Sequence, residues 1–221
     1  VRECRGLVLD AARDFEVLAY PFDRFFNLGE PGCEDAIDWA TARVYPKLDG
    51  SLAVLYWYDD AWHVASSRTP DARGLVGARG PEGPAPFATL FWNAFRARGY
   101  APPPASDARR CFVFELTSRR HPILVRHEDE RLTLLAARDL DTLRELHAGE
   151  IARERGWTAV AECALESLAG EGGEPLARRL EATARGLDGS LHEGFVVCDG
   201  SFRRAKVKSP DYVRMSWMFP L

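Results

Sequence analysis

Short apolar runs that are rich in β-branched and aromatic residues, and are separated by polar positions, predict that much of the chain forms β-strands. The segments with this pattern are 5–10, 16–21, 43–47, 52–58, 62–66, 111–117, 123–125, 132–137, 194–198 and 201–207. Some neighbouring segments are separated only by short polar turns, among them Asp59-Asp60 and Asp199-Gly200. Because Asp and Gly tolerate the backbone of a tight turn, we expect antiparallel hairpins at these places and at residues 5–21.

Apolar residues at helical spacing predict fewer and longer elements. The predicted helices cover residues 87–95, about 142–155 and about 175–185, and residues 37–42 are expected to form one or two helical turns. Residues 69–86 are rich in Gly, Pro and Arg, which predicts either a plain surface loop or a mobile lid over a site. Strands and helices do not alternate regularly, so we predict an α+β fold with mainly antiparallel sheets.

The composition is that of an ordinary globular protein. Of 221 residues, 46% are hydrophobic and 28% are charged. No apolar run has the length of a membrane span or the pattern of a signal peptide, so we expect a cytoplasmic protein. The five cysteines are scattered without a Cys-x-x-Cys pair, and we interpret them as reduced thiols. We expect one domain over residues 1–221, trimmed at the N-terminus because the chain starts at Val1.

The charge balance limits how the protein can bind nucleic acid. The formal net charge is −4 at pH 7, and the sequence pI is about 5.8. These values argue against a protein that coats a duplex through bulk positive charge. They leave open a local group of basic residues that grips one phosphate end, so any nucleic-acid site is expected to be local.

Five charged residues stand on or beside apolar strands, where an unpaired charge is costly. They are Lys47, Glu115, Glu193, Lys206 and Lys208. Lysine is nucleophilic only as the neutral amine, so a nucleophilic Lys47 requires a pKa below the usual value of about 10.4. Lys206 and Lys208 share one face of their predicted strand, suit a polyphosphate, and would lower the pKa of a nearby lysine. Taken singly, each residue is more often a solvated or edge position.

In their order along the chain, these residues resemble the covalent nucleotidyltransferase superfamily of ATP-dependent ligases and capping enzymes. The shared pattern is Lys47-x-Asp49-Gly50, a strand glutamate at Glu115, then Glu193-Gly194, then Lys206-x-Lys208. Residues 3–8, 24–30 and 47–51 further resemble the phage RNA ligase 1 family. The resemblance implies an antiparallel-sheet, ATP-grasp-like adenylation domain without an OB-fold.

The resemblance also implies a role for each matching residue. Lys47 would attack the α-phosphate of ATP, release pyrophosphate and carry AMP. Glu115 would bind the ribose hydroxyls, and Glu193 would help to hold Mg²⁺ or Mn²⁺ or its waters. Lys206 would contact the α-phosphate, and Lys208 would neutralise charge and assist departure of the leaving group.

Other positions match the family pattern less completely. The remaining nucleotide-binding positions implied are Arg5, Arg24, Tyr45, Pro46, Asp49, Gly50 and Arg68. Arg5 would contact the AMP ribose or an RNA phosphate, and Arg24, where the family commonly has lysine, would hold the outgoing pyrophosphate. His127 is either the wall against adenine or a surface histidine. The residues expected to grip RNA ends are Arg119, Arg120, Arg203 and Arg204.

The function implied is that of an ATP-dependent RNA ligase in RNA repair. It would join 5′-phosphate and 3′-hydroxyl RNA ends through a lysyl-AMP and an RNA-adenylate, and an end-healing kinase or phosphatase can act as its partner. The alternatives are a DNA ligase or GTP-dependent capping-type nucleotidyltransferase of the same fold, and a non-catalytic domain that binds RNA ends. The short stretch after Lys208 leaves no room for the OB-fold of the first alternative.

Overall fold

Two main β-sheets, each with its own helices, make up the computed structural model, which describes residues 5–31, 33, 37–77, 83–170 and 173–218. The chain divides into two units. Unit 1 contains residues 1–24, 50–122 and 127–160, and unit 2 contains residues 25–49, 123–126 and 161–221. The predicted α+β class with mainly antiparallel sheets is confirmed.

The strands, in chain order, are β1 (Val8–Asp10), β2 (Glu16–Ala19), β3 (Phe26–Asn27), β4 (Arg43–Pro46), β5 (Ser51–Tyr58), β6 (Ala61–Ser66), β7 (Leu75–Val76), β8 (Ala85–Pro86), β9 (Arg110–Thr117), β10 (Arg131–Asp139), β11 (Glu145–Leu146), β12 (Gly194–Cys198) and β13 (Arg204–Lys208). The α-helices are α1 (Phe87–Ala97), α2 (Ala148–Arg155), α3 (Leu176–Arg185) and α4 (Pro210–Met218). None of the helices within these described ranges is long and apolar enough to cross a membrane.

Unit 1 is built on a five-stranded antiparallel sheet in the order β11-β10-β9-β5-β6. On one face, Phe91 and Phe95 of α1 pack against Phe114 of β9. On the other face, Val54 of β5 lies in an apolar cluster with Leu18 of the β1-β2 hairpin. Both faces of β5 are therefore covered, which explains why its sequence is almost continuously apolar.

The turn between β5 and β6 shows how local sequence directs this sheet. Asp59 and Asp60 both have positive φ angles, 48° and 56°. The favoured two-residue hairpin turn requires positive φ at both central positions, and Asp is among the residues that accept it. The predicted hairpin at this turn is confirmed, as is the β1-β2 hairpin.

Unit 2 is built on a four-stranded sheet in the order β3-β13-β12-β4. Strand β12 pairs antiparallel with β13 and β4, whereas β3 pairs parallel with β13. Leu180 and Ala184 of α3 share an apolar cluster with Val207 of β13. Because side chains alternate along a strand, Lys206 and Lys208 lie on the face opposite Val207, as predicted.

Two predicted elements have different boundaries in the structure. The helix predicted over residues 142–155 is wrong in its first part, because only Ala148–Arg155 is helical. Glu145 pairs with Arg138 at the edge of the sheet instead, and the His147 side chain caps the helix by accepting a hydrogen bond from the Gly149 N–H. The hairpin predicted at Asp199-Gly200 is confirmed, but its loop is longer than two residues and spans residues 199–203.

Three further segments differ from prediction. Residues 123–125 do not form a strand, and residues 37–42 form turns rather than helix. The predicted loop 69–86 contains the short β7-β8 hairpin, while its residues 78–82 lie outside the described part of the chain. Helix α4 was not predicted, although Pro210 at its first position is a common start signal.

Candidate functional site

Lys47 lies directly after β4 and forms an ion pair within unit 2. Its backbone N–H donates to the Gly194 carbonyl at 2.8 Å, which extends the pairing of β4 with β12. Its Nζ lies 2.9 Å from Oε2 of Glu193. The Lys47 side chain is 24% exposed and the Glu193 side chain 5%. The amine is therefore held at the end of a strand, beside a buried carboxylate.

The other oxygen of the same carboxylate binds a second lysine. Nζ of Lys208 lies 2.7 Å from Oε1 of Glu193, and the Lys208 side chain is 29% exposed. Two partly exposed cations thus share one buried anion, which gives the three groups a formal net charge of +1. A phosphate can replace or join such a carboxylate because its oxygens accept charge-assisted hydrogen bonds from ammonium groups.

Strand register explains why these side chains meet. Gly194 of β12 is the register partner of Lys208 and also bonds the Lys47 backbone. Two residues further along β12, Val196 is the partner of both Lys206 and Tyr45. Because side chains two residues apart share a face, the Lys47-Lys208 row and the Tyr45-Lys206 row lie on one side of the sheet. Pro46 pairs with Phe195, between these rows.

Gly194 is required by the closeness of β13. Its φ angle is +138°, and a Cβ atom at this position would lie 2.1 Å from the Val207 carbonyl oxygen. Any side chain would therefore push β12 away from β13. This is the physical reason for glycine directly after Glu193.

Within unit 2, Tyr45 has an acidic neighbour and Lys206 has an aromatic one. Burial, followed by the charge of Glu162, raises the pKa of Tyr45 above its usual value, so its hydroxyl stays protonated at neutral pH. The Lys206 Nζ lies 5.8 Å from the centre of the Phe25 ring, within the range of a cation–π interaction.

Asp49 forms a second carboxylate cluster in unit 2, with neutral partners. Its Oδ2 accepts hydrogen bonds from the backbone N–H groups of Leu124 (2.8 Å) and Val125 (2.6 Å). Its Oδ1 accepts a hydrogen bond from the hydroxyl of Tyr212 at 2.6 Å. Asp49 is 4% exposed. These contacts make Asp49 a clamp that fixes the chain just after Lys47, and its predicted contact with nucleotide stays a prediction.

Tyr212 was not among the site residues predicted from the sequence. It lies in α4, four residues after Lys208, and its ring centre is 5.2 Å from the Lys208 Nζ. Gly189 lets this helix approach, since a Cβ atom there would lie 2.2 Å from the Tyr212 backbone nitrogen. The available signal was an aromatic residue two positions after Pro210, in a segment that follows Lys-x-Lys closely.

Unit 1 contains the strand glutamate and the end of the lysine motif. Gly50 donates its backbone N–H to Oε1 of Glu115 at 3.0 Å, and Glu115 is buried. A Cβ atom on Gly50 would lie 2.5 Å from the Leu116 carbonyl oxygen, so the chain comes this close only with glycine. The two predicted positions Gly50 and Glu115 are thus brought together.

The predicted arginines of unit 1 are exposed. The backbone at Gly6 lies near Ser67, since a Cβ atom on Gly6 would be 4.0 Å from the Ser67 Cα. This contact places the segments that carry Arg5 and Arg68 side by side. Arg24 is exposed at the end of unit 1. Their phosphate contacts stay predictions.

The predicted RNA-gripping and adenine-binding residues are dispersed. In unit 2, Arg203 forms an ion pair with Asp199 at 2.7 Å, and Arg204 donates to the Phe202 carbonyl at 3.0 Å. In unit 1, Arg119 is exposed and His127 is half-buried. Nothing in these contacts identifies the adenine wall, so the assignment of His127 stays a prediction.

Glu193 is the carboxylate that was predicted to hold a divalent metal. Among the residues that the structure describes, no group of three or more His, Cys, Asp or Glu side chains is placed to hold a metal ion. Both oxygens of Glu193 contact lysines. These donors fit an ion such as Mg²⁺ or Mn²⁺ that takes most of its ligands from phosphates and water, rather than a resident metal.

Sequence comparison relates the chain to RNA ligases. A family model described as RNA ligase matches residues 3–86. The RNA ligase of Rhodothermus phage RM378 is 27% identical in an alignment 165 positions long, which covers 62% of this chain and 37% of that protein. A candidate bifunctional polynucleotide kinase/RNA ligase of Autographa californica nuclear polyhedrosis virus is 28% identical in an alignment 237 positions long, which covers 97% of this chain and 31% of that protein. The chain spans about a third of the length of these curated relatives.

Solved structures show the same fold. An archaeal ATP-dependent RNA ligase superposes with a TM-score of 0.61 at 16% identity, over 96% of this chain and 54% of that chain. A lysine-to-alanine mutant of the Naegleria gruberi RNA ligase with ATP and Mn superposes with a TM-score of 0.54 at 17% identity, over 79% of this chain and 50% of that chain. The resemblance to RNA ligases that the motifs predicted is confirmed.

Proposed function

We propose that this chain is the adenylation domain of an ATP-dependent RNA ligase that joins 5′-phosphate and 3′-hydroxyl RNA ends. The observation that carries the proposal is the Glu193 carboxylate shared by Lys47 and Lys208. This arrangement combines a candidate nucleophile, a second cation and a group that can take up a proton, all on one face of a sheet. Acyl- or phosphoryl-group transfer to an amine needs these three functions.

The positions of the lysines in the sequence support this proposal. Of 29 Lys and Arg residues, only three are lysine, and they are Lys47, Lys206 and Lys208. An arginine guanidinium stays protonated in proteins, whereas a lysine amine can become neutral and attack phosphorus. Lysine therefore occurs in this chain only in the two motifs for which an amine is proposed.

In the first proposed step, the Lys47 Nζ attacks the α-phosphorus of ATP. A nitrogen–phosphorus bond forms, the bond to the pyrophosphate oxygen breaks, and pyrophosphate leaves with the electron pair. The ammonium proton of Lys47 must leave first, and Oε2 of Glu193, 2.9 Å away, is within hydrogen-bond distance to accept it. Lys206 and Lys208 would neutralise the charge on the phosphates. We further propose that Glu115 binds the ribose hydroxyls and that Arg5, Arg24 and Arg68 contact phosphates or ribose.

In the second step, an oxygen of the RNA 5′-phosphate attacks the same phosphorus, the phosphorus–nitrogen bond breaks, and Lys47 leaves as the amine because its nitrogen takes up the proton held by Glu193. In the third step, the RNA 3′-hydroxyl gives its proton to solvent and attacks the 5′-phosphate phosphorus, the bond from that phosphorus to the bridging oxygen of AMP breaks, and AMP leaves with the electron pair. Glu193 would provide the protein ligand to a divalent ion, which, when bound, supplies further neutralisation of phosphate charge. A kinase or phosphatase that heals RNA ends is the proposed partner, and the name of the Autographa californica nuclear polyhedrosis virus relative, which joins polynucleotide kinase to RNA ligase, supports the kinase. The cytoplasmic location stays a prediction.

The test is covalent labelling. The protein is incubated separately with α-labelled ATP, GTP or NAD⁺ and Mg²⁺ or Mn²⁺, and is then run on a denaturing gel. We expect label from ATP alone, and an AMP adduct on Lys47 by peptide mass spectrometry. Lys47→Ala and Lys47→Arg should both lose the label. Loss in Lys47→Arg, which keeps the positive charge, would show that the reaction needs the amine itself. Arg178→Ala, an exposed change on α3, is the control and should retain it.

Two results would contradict the proposal. Label from GTP alone would assign the chain to capping-type chemistry, and absence of label from every nucleotide would assign it to a non-catalytic domain that binds RNA ends. A nicked DNA substrate, tested beside single-stranded RNA, separates DNA ligase activity from RNA ligase activity.

A further inference from the structure

The side-chain oxygen of Asn27 is a buried hydrogen-bond acceptor without a partner in unit 2. Asn27, the last residue of β3, donates its backbone N–H to Oε2 of Glu30 at 3.0 Å and its Nδ2 to Oε1 of the same carboxylate. Because a carboxylate only accepts hydrogen bonds, it fixes the amide with the nitrogen toward Glu30 and the oxygen away from it. That oxygen, Oδ1, is shielded from solvent and accepts no hydrogen bond from any residue that the structure describes. A buried polar atom without a partner is costly, so its presence calls for an explanation.

Strand register places this oxygen on the face of the sheet that carries Lys206. Asn27 is the register partner of Lys206 in the parallel pairing of β3 with β13. The preceding residue, Phe26, pairs with Ala205 and packs against the apolar cluster that includes α3. Because side chains alternate along a strand, Asn27 lies on the opposite face, together with Lys206. Phe25 contacts the same lysine, with its ring centre 5.8 Å from Nζ. One ammonium group therefore lies beside an aromatic ring and an amide of neighbouring residues.

The Lys206 ammonium is the donor best placed to reach this oxygen. Oδ1 is shielded from solvent, so a side chain of the same row reaches it more readily than a ligand does. A lysine ammonium has three N–H donors, whereas the oxygens of an ionised phosphate only accept. The ring attracts the ammonium without fixing the direction of any N–H, but a hydrogen bond to the amide oxygen would fix it. One N–H bound to Asn27 leaves two for a phosphate.

We propose that Asn27 is a positioning residue for Lys206. When a phosphate binds on this face, the Lys206 Nζ donates one hydrogen bond to Oδ1 of Asn27 and directs its other N–H groups at the phosphate. Glu30 holds the Asn27 amide in the orientation that this contact requires. Asn27 itself does not touch the nucleotide. The inference rests on the proposed function for the identity of the phosphate, which is the α-phosphate of ATP.

A double-mutant cycle tests whether Asn27 acts through Lys206. The rate of lysyl-AMP formation is measured in single turnovers of the full chain, over a range of ATP concentrations. Asn27→Leu should lower the rate at saturating ATP about tenfold, the usual effect of losing one hydrogen bond to a charged group. In a Lys206→Ala background, Asn27→Leu should change the rate by less than about twofold, because the group that it positions is gone. An equal loss in both backgrounds, or a wild-type rate in Asn27→Leu, would overturn the inference.

The chain supplies a matched control. Its other asparagine, Asn93, is exposed on α1, so Asn93→Leu makes the same chemical change in unit 1 and should label at the wild-type rate. A second variant combines Asn27→Asp with Glu30→Gln. The glutamine N–H groups can donate to one aspartate oxygen, which leaves the other oxygen as an acceptor for Lys206. This pair should label within about threefold of the wild type, since the acceptor is kept. A loss as large as that of Asn27→Leu would contradict the proposal.

A readout that does not need activity separates this inference from the proposed function. The sequence has three lysines, so selective nitrogen-15 labelling of lysine side chains gives three ammonium signals in nuclear magnetic resonance spectra. The Lys206→Ala variant assigns one of them. With ATP and Mg²⁺ present, Asn27→Leu should shift the Lys206 signal, and Asn93→Leu should leave it in place. If the wild-type chain takes no label, the proposed function fails, while an unchanged Lys206 signal in Asn27→Leu would overturn the role of Asn27.

Discussion

Unit 2 contains two buried carboxylates near the lysine motif, and their partners differ in kind. Asp49 accepts hydrogen bonds from two backbone N–H groups and a tyrosine hydroxyl, which are neutral donors, and Val125 and Tyr212 are buried with it. Glu193 is bonded by two lysine ammonium groups whose side chains remain 24% and 29% exposed. The neutral donors of Asp49 belong to the fold and cannot leave without cost. The partly exposed cations of Glu193 can be shared with an entering phosphate. We therefore expect similar burial to serve stability at Asp49 and the proposed chemistry at Glu193.

The largest expected effect comes from removing the charge of Glu193. Glu193→Gln keeps the shape but leaves Lys47 and Lys208 without their shared anion. We expect the rate of lysyl-AMP formation to fall by about 10²- to 10³-fold, the usual cost of removing one preorganised electrostatic group. Because both lysines reach solvent, the free energy of unfolding should change by less than about 1 kcal/mol. Single-turnover labelling measures the rate of lysyl-AMP formation, and urea unfolding of the same preparation measures the free energy of unfolding. A large loss of stability in Glu193→Gln would mean that Glu193, like Asp49, mainly stabilises the fold.

The next effect is on stability and comes from Asp49. Asp49→Ala leaves two backbone N–H groups and the Tyr212 hydroxyl without an acceptor. Each unsatisfied buried donor costs about 1–3 kcal/mol, so we expect a loss of about 3 kcal/mol or more. Urea unfolding measures this loss of stability. Asp38 is an exposed aspartate of unit 2, but Asp38→Ala is not a suitable control because the Asp38 carboxylate accepts hydrogen bonds from Thr41 and Ala40. Asp60→Asn in the β5-β6 turn is the better one, and it should unfold as the wild type does. Wild-type stability in Asp49→Ala would contradict the clamp.

The smallest effect comes from one hydroxyl. Tyr212→Phe removes the hydrogen bond to Asp49 and keeps the ring beside Lys208. We expect a loss of about 1–2 kcal/mol, since Asp49 retains its two backbone donors. Tyr58→Phe, on β5, removes a hydroxyl that forms no hydrogen bond with the described residues and is the matched control. Equal losses in the two variants would mean that the Tyr212 hydroxyl contributes nothing specific.

Much of the candidate site could be read from the sequence, but not the difference between its carboxylates. Lys47, Glu193 and Lys208 were singled out because charges beside apolar strands need partners, and they are partners of each other. Asp49 was assigned to nucleotide binding through the motif alone. Its clamp needs Tyr212, Leu124 and Val125, and residues 123–125 were predicted as a strand because their apolar residues fit that pattern.

Local patterns in the sequence determined what depends on neighbours in the chain. Short apolar runs specified most strands, alternation placed Lys206 and Lys208 on one face, and Asp59-Asp60 specified a hairpin turn, because these effects act over a few residues. The tertiary structure alone decided which distant groups meet. Lys47 and Glu193 are 146 residues apart in the chain and become partners only through the pairing of β4 with β12. The same holds for residues 142–147, where pairing at the edge of β10 replaced the helix that local pattern favoured, because sheet hydrogen bonds outweigh a weak helical preference.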